Sequence, residues 1–409
     1  MKTLHRILVA FLISLFAAFL TSANGQSPPA SSSGAHLLQG SDLVYVRSFQ
    51  IPVQYGAGAL GFNPKNNSLF IGGSVAAGQQ NKPLAAEVAI PTADTMAKIL
   101  QPFADPSRTS DTPPRQLDAV CNAQGIRLGG LCPYNDSLLW SAYGYYDATN
   151  RNRMALGRSS LNLAEPNAEG MFSLSATVDG RPVPNGAMAG WIVPIPEAWS
   201  NLFRGTHFVG LGGVPIISRT SEGCAAFGVN VTQLSTARPT PAIPYIYYPT
   251  QTHKMAGFNK TPRVWNGEVR GLACIAGPKV KGMLFVGTQP TGKEWYGLAK
   301  IDPKNPRNRN NPRPELSGTD PCSIYEGNHS QGKMPTAWIF DPNVVAAAPR
   351  PYAPVPVQVS MGGPDSPNPH LQPVCSTLNG IAHDPAKGLL YLRQDGKMET
   401  WVHVYKYPL

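Results

Sequence analysis

The densest chemistry in the 409-residue chain lies in Asp320-Pro321-Cys322-Ser323-Ile324-Tyr325-Glu326-Gly327-Asn328-His329, where two carboxylates, an amide and an imidazole fall close together. Asp320, Glu326 and His329 are candidate metal ligands. Oxygen-rich loop groups of this kind suit Ca²⁺, and a bound cation would polarise an ester or lactone carbonyl. Their spacing follows neither H-E-x-x-H nor an EF-hand loop, so a surface loop tethered by a disulfide is the competing reading. Three further polar residues stand beside glycines that mark strand entries. Arg270 and Asn379 directly precede Gly271 and Gly380, and His383 follows Gly380 by three. Tyr143 and Tyr145 belong to an aromatic run that starts at Trp140, and Tyr245, Tyr247 and Tyr248 form another. Aromatic faces of this sort stack on sugar rings and pair with cations, although an alternating strand would bury half of them. Ser221 lacks the G-x-S-x-G setting of a nucleophile elbow. The glycine-rich run Gly210 to Pro215 lacks the lysine and the spacing of a nucleotide-binding loop.

The elements that must position these residues are strands. Gly 40 and Pro 41 make up about a fifth of the chain, which disfavours a helical bundle. With 42% hydrophobic, 9% aromatic and 14% charged residues, the chain has ample material for a core. A hairpin signal recurs. Gly61-Phe62-Asn63-Pro64-Lys65-Asn66-Asn67-Ser68-Leu69-Phe70-Ile71 aligns without a gap on Ala382-His383-Asp384-Pro385-Ala386-Lys387-Gly388-Leu389-Leu390-Tyr391-Leu392. Each reads as a strand, a polar Asn/Asp-Pro turn and a second strand. Weaker copies begin at Pro133 and Gly277, and the runs Thr206 to Gly210 and Ala337 to Pro342 fall near where others are expected.

On these motifs, residues 42–409 resemble β-propellers of the NHL and YVTN type, whose blades carry a D-P-x-x-x-x-L-Y-[VIL] hairpin. The resemblance implies an all-β, radially stacked architecture with its ligand site at the mouth of the central channel. Stacked repeats also bury a continuous core and leave few open edges. The aromatics at positions 70, 140, 208, 285, 340 and 391, taken as second-strand markers, predict six blades, with seven the next choice. Val44 to Val46 and Trp401 to Tyr405 are alternating strands at the two ends of this domain, and their pairing would close the ring. A pair of β-sandwiches is the alternative architecture. Asp94 to Gln101 is the stretch that reads as helix.

Met1 to Gly25 has the basic start, the apolar run Ile7 to Leu20 and the small-residue end of a secretory signal, and residues 26–41 read as a flexible lead-in. The expectation is a secreted protein, extracellular or periplasmic, without a membrane span. Six cysteines, an even number, suit disulfides, and Cys121–Cys132 is the closest pair. Five N-x-[ST] sequons begin at Asn66, Asn135, Asn230, Asn259 and Asn328, which would make a glycoprotein in a suitable host. The net charge of +10 falls to +8 once Lys2 and Arg6 leave with the signal. In an exported protein this points away from nucleic acid and toward an anionic polysaccharide, cell-wall polymer or membrane surface. The resulting expectation is a propeller that binds an extracellular glycan or other polar polymer through one face. A Ca²⁺-dependent hydrolase or lactonase and a protein-interaction scaffold are the alternatives.

Overall fold

In the computed structural model, residues 34–53, 58–74, 83–109, 126–144, 147, 150–213, 220–249, 252–256, 267–297, 327–361, 368–371, 377–396 and 399–409 are described. His36–Leu409 forms one contact unit. Its strands make five antiparallel blades around an axis. The first runs Leu60–Asn63, Ser68–Gly72, Ala85–Ala89 and Ile99–Ala104 from the axis outward. The second has Ile126–Tyr134, Ser137–Gly144, Leu156–Ser160 and Glu169–Phe172. The third has Trp191–Pro194, His207–Gly210, Ala226–Val229 and Thr240–Ile246, with Leu174–Ser175 added in parallel at its edge. The fourth has Glu268–Ala276, Val280–Gly297, Gly327–Phe340 and Val357–Ser360. The fifth has Thr377–Asp384, Leu389–Asp395, Thr400–Lys406 and, outermost, Val44–Ile51.

The count of five corrects the expectation of six or seven. Phe70, Trp140, Phe208, Phe285 and Tyr391 lie on the second strands of the five blades, but Phe340 lies on the third strand of the fourth. The strands of that blade's central hairpin run 18 and 14 residues, so its third strand stands far enough along the chain to pass for a separate blade. Ring closure is as expected. Val44 pairs with Lys406 and Phe49 with Val402, so both ends of the domain are fixed in one blade. The folded chain starts before residue 42: His36 and Leu37 pair with Val280 and Lys281, and Leu38 is fully buried. Asp94–Gln101 is not helical. Thr95 and Met96 lead into the outer strand of the first blade, and the α-helix among the described residues is Pro342–Ala347, capped by Asp341.

Apolar cores fill the spaces between blades. Phe49, Leu69, Tyr391 and Val402 pack between the fifth and first, and Phe70, Leu131 and Trp140 between the first and second. Trp191, Phe227, Phe285 and Trp338 share the large cluster of the second to fourth blades. The repeated hairpin motif has a local cause. The side-chain oxygen of Asn63 accepts from Lys65 N–H, and that of Asp384 accepts from Ala386 and Lys387 N–H. Four residues after each, Asn67 and Gly388 take positive φ, which Asn and Gly tolerate best. Glu87 anchors the first of these turns, accepting from the side chains of Asn63, Asn66, Ser68 and Gln101 at 2.5–3.0 Å. Burial pushes its carboxyl up, but these four hydrogen bonds outweigh burial and hold it below the usual range. Glu87→Gln is expected to lower the urea midpoint by about 1–2 kcal/mol of stability with an unchanged m-value, because an amide cannot accept from all four donors.

A glycine sits at every junction between neighbouring blades near the axis. A Cβ on Gly58 would lie 2.0 Å from the Asn379 carbonyl oxygen, one on Gly61 2.2 Å from that of Leu131, and one on Gly130 2.6 Å from that of Gly190. Gly212 bridges Val269, and a Cβ on Gly271 would meet Ile381 N at 2.9 Å. The inner strands therefore approach backbone to backbone, which brings five blades into a tight ring. Gly58→Ala is expected to push the fifth and first blades apart at the axis at a cost of about 2 kcal/mol, read as a drop in melting temperature.

Candidate functional site

Three inner strands carry a β-bulge at the same level. The register shifts between Leu128 and Gly130, between Val269 and Gly271, and between Leu378 and Gly380. The extra residues are Gly129, Arg270 and Asn379, and a bulge re-aims the residue it inserts. Arg270 and Asn379 thereby face a polar pocket of about 270 Å³ at the starting ends of the inner strands. All five blades line it, through Gly58, Arg127, Leu211, Glu268 with Arg270, and Thr377 with Asn379. Tyr143 completes the wall.

The side chains are held in place from behind. Arg270 donates through Nε and Nη2 to Glu268 Oε2 at 3.2 and 2.9 Å, and through Nη1 to the Tyr143 hydroxyl at 3.2 Å. Burial pushes the Glu268 carboxyl up, but the charges of Arg270 and Lys333 and the Arg270 hydrogen bonds more than offset this, leaving it below the usual range. Asn379 Nδ2 donates to Asp395 Oδ2 at 2.7 Å. Fully buried Arg393 clamps Asp395 through Nε at 2.7 Å and ties it to the Gly72 carbonyl at 2.6 Å. Arg127 and Arg270 bring positive charge to the rim, with Glu268 the carboxylate that lines the pocket among the described residues. A site of this kind binds and orients a polar, negatively charged group.

Of the residues singled out in the sequence, Arg270, Asn379 and Tyr143 come together here. His383 does not: it lies four residues beyond Asn379, roughly 13 Å along the strand at 3.3 Å per residue, and lines a different cavity. Tyr145, Asp320 and Glu326 lie outside the described residues. His329 sits on the long hairpin of the fourth blade, which continues past Thr288, the partner of Glu268. It is buried and stacked on Trp295 at 5.3 Å, seven residues further along, roughly 20 Å from the level of Glu268. Among the described residues no group of three or more His, Cys, Asp or Glu is placed to hold a metal.

The aromatics divide between the core and the pocket wall, with Tyr145 outside the described residues. Trp140, Tyr247 and Tyr248 are core residues, and Tyr143 offers its hydroxyl rather than an open face. Ser221 is buried, donating to the Cys224 carbonyl and accepting from Tyr248 N–H, which makes it structural. The Cys121–Cys132 bridge is not shown. The Gly-rich segment before Cys132 continues as the extended strand Ile126–Tyr134 instead of folding back, and Cys132, Cys224 and Cys274 are buried free thiols. Cys121 lies outside the described residues. Sequence reasoning missed Arg127, Glu268 and Thr377, each two positions before the bulged residue Gly129, Arg270 or Asn379. A period of two along a strand is the signal that finds them.

Comparison with known proteins leaves the family open. No family model and no curated protein matches the chain. Among solved structures, it is similar to a glycosyl hydrolase from Bacteroides ovatus at 9% identity and TM-score 0.43, covering 91% of this chain and 93% of that one. An auxiliary nutrient binding protein from Bacteroides thetaiotaomicron has 10% identity and TM-score 0.30, with 91% and 75% covered. Extracellular domains 1-2 of Drosophila Semaphorin 1b have 9% identity and TM-score 0.29, with 84% and 72% covered. At such distances these likenesses decide nothing about ligand or activity. No helix among the described residues is long and apolar enough to cross a membrane.

Proposed function

We propose that the protein is an exported β-propeller that binds an extracellular glycan or similar polar polymer by seating one acidic unit in the axial pocket. The observation that carries this reading is the convergence of Arg127, Glu268, Arg270, Thr377 and Asn379, from three blades, on one small polar cavity closed by the other two. Its volume of about 270 Å³ lies just below the usual small-molecule range, which suits a single sugar-sized unit. The positive charge of the chain favours an anionic polymer over a neutral one. Binding is supported over hydrolysis because glycoside hydrolysis takes a pair of carboxylates, whereas Glu268 is the single one lining the pocket among the described residues and is engaged in keeping the Arg270 guanidinium in place.

Calorimetric titration with uronic-acid oligosaccharides and with neutral oligosaccharides of equal length tests the reading. The acidic series is expected to bind one per chain, more weakly at high salt, and at least tenfold more weakly to Asn379→Ala. Equal binding of both series, or no effect of Asn379→Ala, contradicts it.

A further inference from the structure

The axis carries a second cavity at the other ends of the inner strands, about 500 Å³ in volume. Each blade contributes an apolar side chain to it: Leu60, Leu131, Ile192, Leu272 and Ile381. It shares no lining residue with the polar pocket. Few polar groups stand on its wall. His383 Nε2 is 2.7 Å from the Tyr407 hydroxyl, and burial keeps the imidazole neutral, down at about 4. Asp384 caps its own turn through Oδ1, while its buried Oδ2 has no hydrogen-bond partner and lies 3.4 Å from the Lys387 ammonium. Cys132 and Cys274 also line the cavity as free thiols, and burial raises both, so they stay uncharged.

Prolines at the rim, among them Pro64, Pro194, Pro278 and Pro385, have fixed φ, so the walls are formed in advance of any ligand. A preformed concave site of 300–1,000 Å³, mostly apolar with a few placed polar groups, is the usual form of a small-molecule site. Five strands far apart in sequence each supply an apolar residue to this one surface. An anionic ligand would shed its hydration here beside the Asp384 carboxylate, whereas an apolar one gains by leaving water.

We infer that this cavity is a second binding site, for a neutral apolar small molecule of aromatic or alicyclic type. It is independent of the polar mouth, so neither site depends on the other being real.

Titration with 1-N-phenylnaphthylamine, a neutral apolar fluorophore, tests this directly. One probe per chain should bind saturably. The bound probe should slow hydrogen exchange at 131–133 and 272–274, beside the cavity, at least fivefold, while leaving 127–129 and 268–270 at the polar mouth unaffected. The double variant Ala276→Trp/Ala386→Trp, placed at the half-buried and exposed rim positions, should weaken binding at least tenfold. No saturable binding, or saturable binding that the double variant leaves unchanged, overturns the inference. If the double variant melts well below the parent, hydrogen exchange of the parent chain decides: protection at 131–133 and 272–274 with none at 127–129 and 268–270 supports the site, and unchanged exchange overturns it.

Discussion

Lowering the pH from 6.5 to 4 is expected to remove about 7 kcal/mol of stability, through three histidines that burial holds neutral, His207, His383 and His403. Burial holds His207 down to about 4, and burial together with the charge of His370 holds His403 down to about 3. The unfolded chain protonates all three near pH 6.5, so between about 6.5 and 4 it binds more protons than the folded chain. The stability contributed by the neutral imidazoles is therefore complete above pH 6.5 and is lost as the pH falls. Each histidine adds about 1.4 kcal/mol per pH unit to the slope. Protonation of His403 would break a specific network. Its Nδ1 accepts from Ser48 on the N-terminal strand of the closing blade, and its Nε2 donates to Gln394 Oε1 at 2.5 Å. His207 packs edge-on to Tyr134, and its Nε2 is buried without a partner. Urea midpoints measured from pH 7 to 4 check this, and His207→Phe should take about a third off the slope. A midpoint that stays flat to pH 4.5 would refute it.

Arg270→Met should have the larger functional effect. Arg270 and Glu268 are 14% and 20% exposed, so removing the guanidinium leaves a largely buried carboxylate without its main partner. That costs about 2–3 kcal/mol, below the full penalty for a completely buried pair because the pocket admits water. Ligand affinity should fall at least 30-fold, since the variant loses both the anion-binding donor and the orientation of Tyr143. The double variant Glu268→Gln/Arg270→Met should recover most of the stability and none of the affinity. This separation of denaturation midpoint from binding constant distinguishes a binding residue from a structural one.

How far the sequence foretold this structure follows from which features are local. The hairpin turns are local: an Asn or Asp whose side chain caps the turn, with a positive-φ residue four positions later, appears in the order of residues. Ring closure was legible because both end strands alternate strongly. The blade count was not, because it depends on whether Phe340 pairs back onto Phe285's strand or opens a new sheet, and a long hairpin arm makes the two look alike. Glycine marked the site for a physical reason. Backbone contact at the axis demands it, and the bulged residue just before it turns toward the axis, as Arg270 and Asn379 do. His383 shared the glycine neighbourhood but lay too far along the strand. Of the aromatics on one strand, Trp140 turns into the core, because a strand buried on both faces hides odd and even residues alike, while Tyr143 lends its hydroxyl to the pocket.

The most direct test of the central claim is a hydrogen-exchange footprint of the intact chain with and without a uronic-acid oligosaccharide. The bulged entries at 127–129, 268–270 and 377–379 should gain protection together, although they belong to three different blades, while the outer strands Ile99–Ala104 and Val357–Ser360 should not change. Protection confined to outer strands, or none at saturating ligand, would contradict an axial binding site.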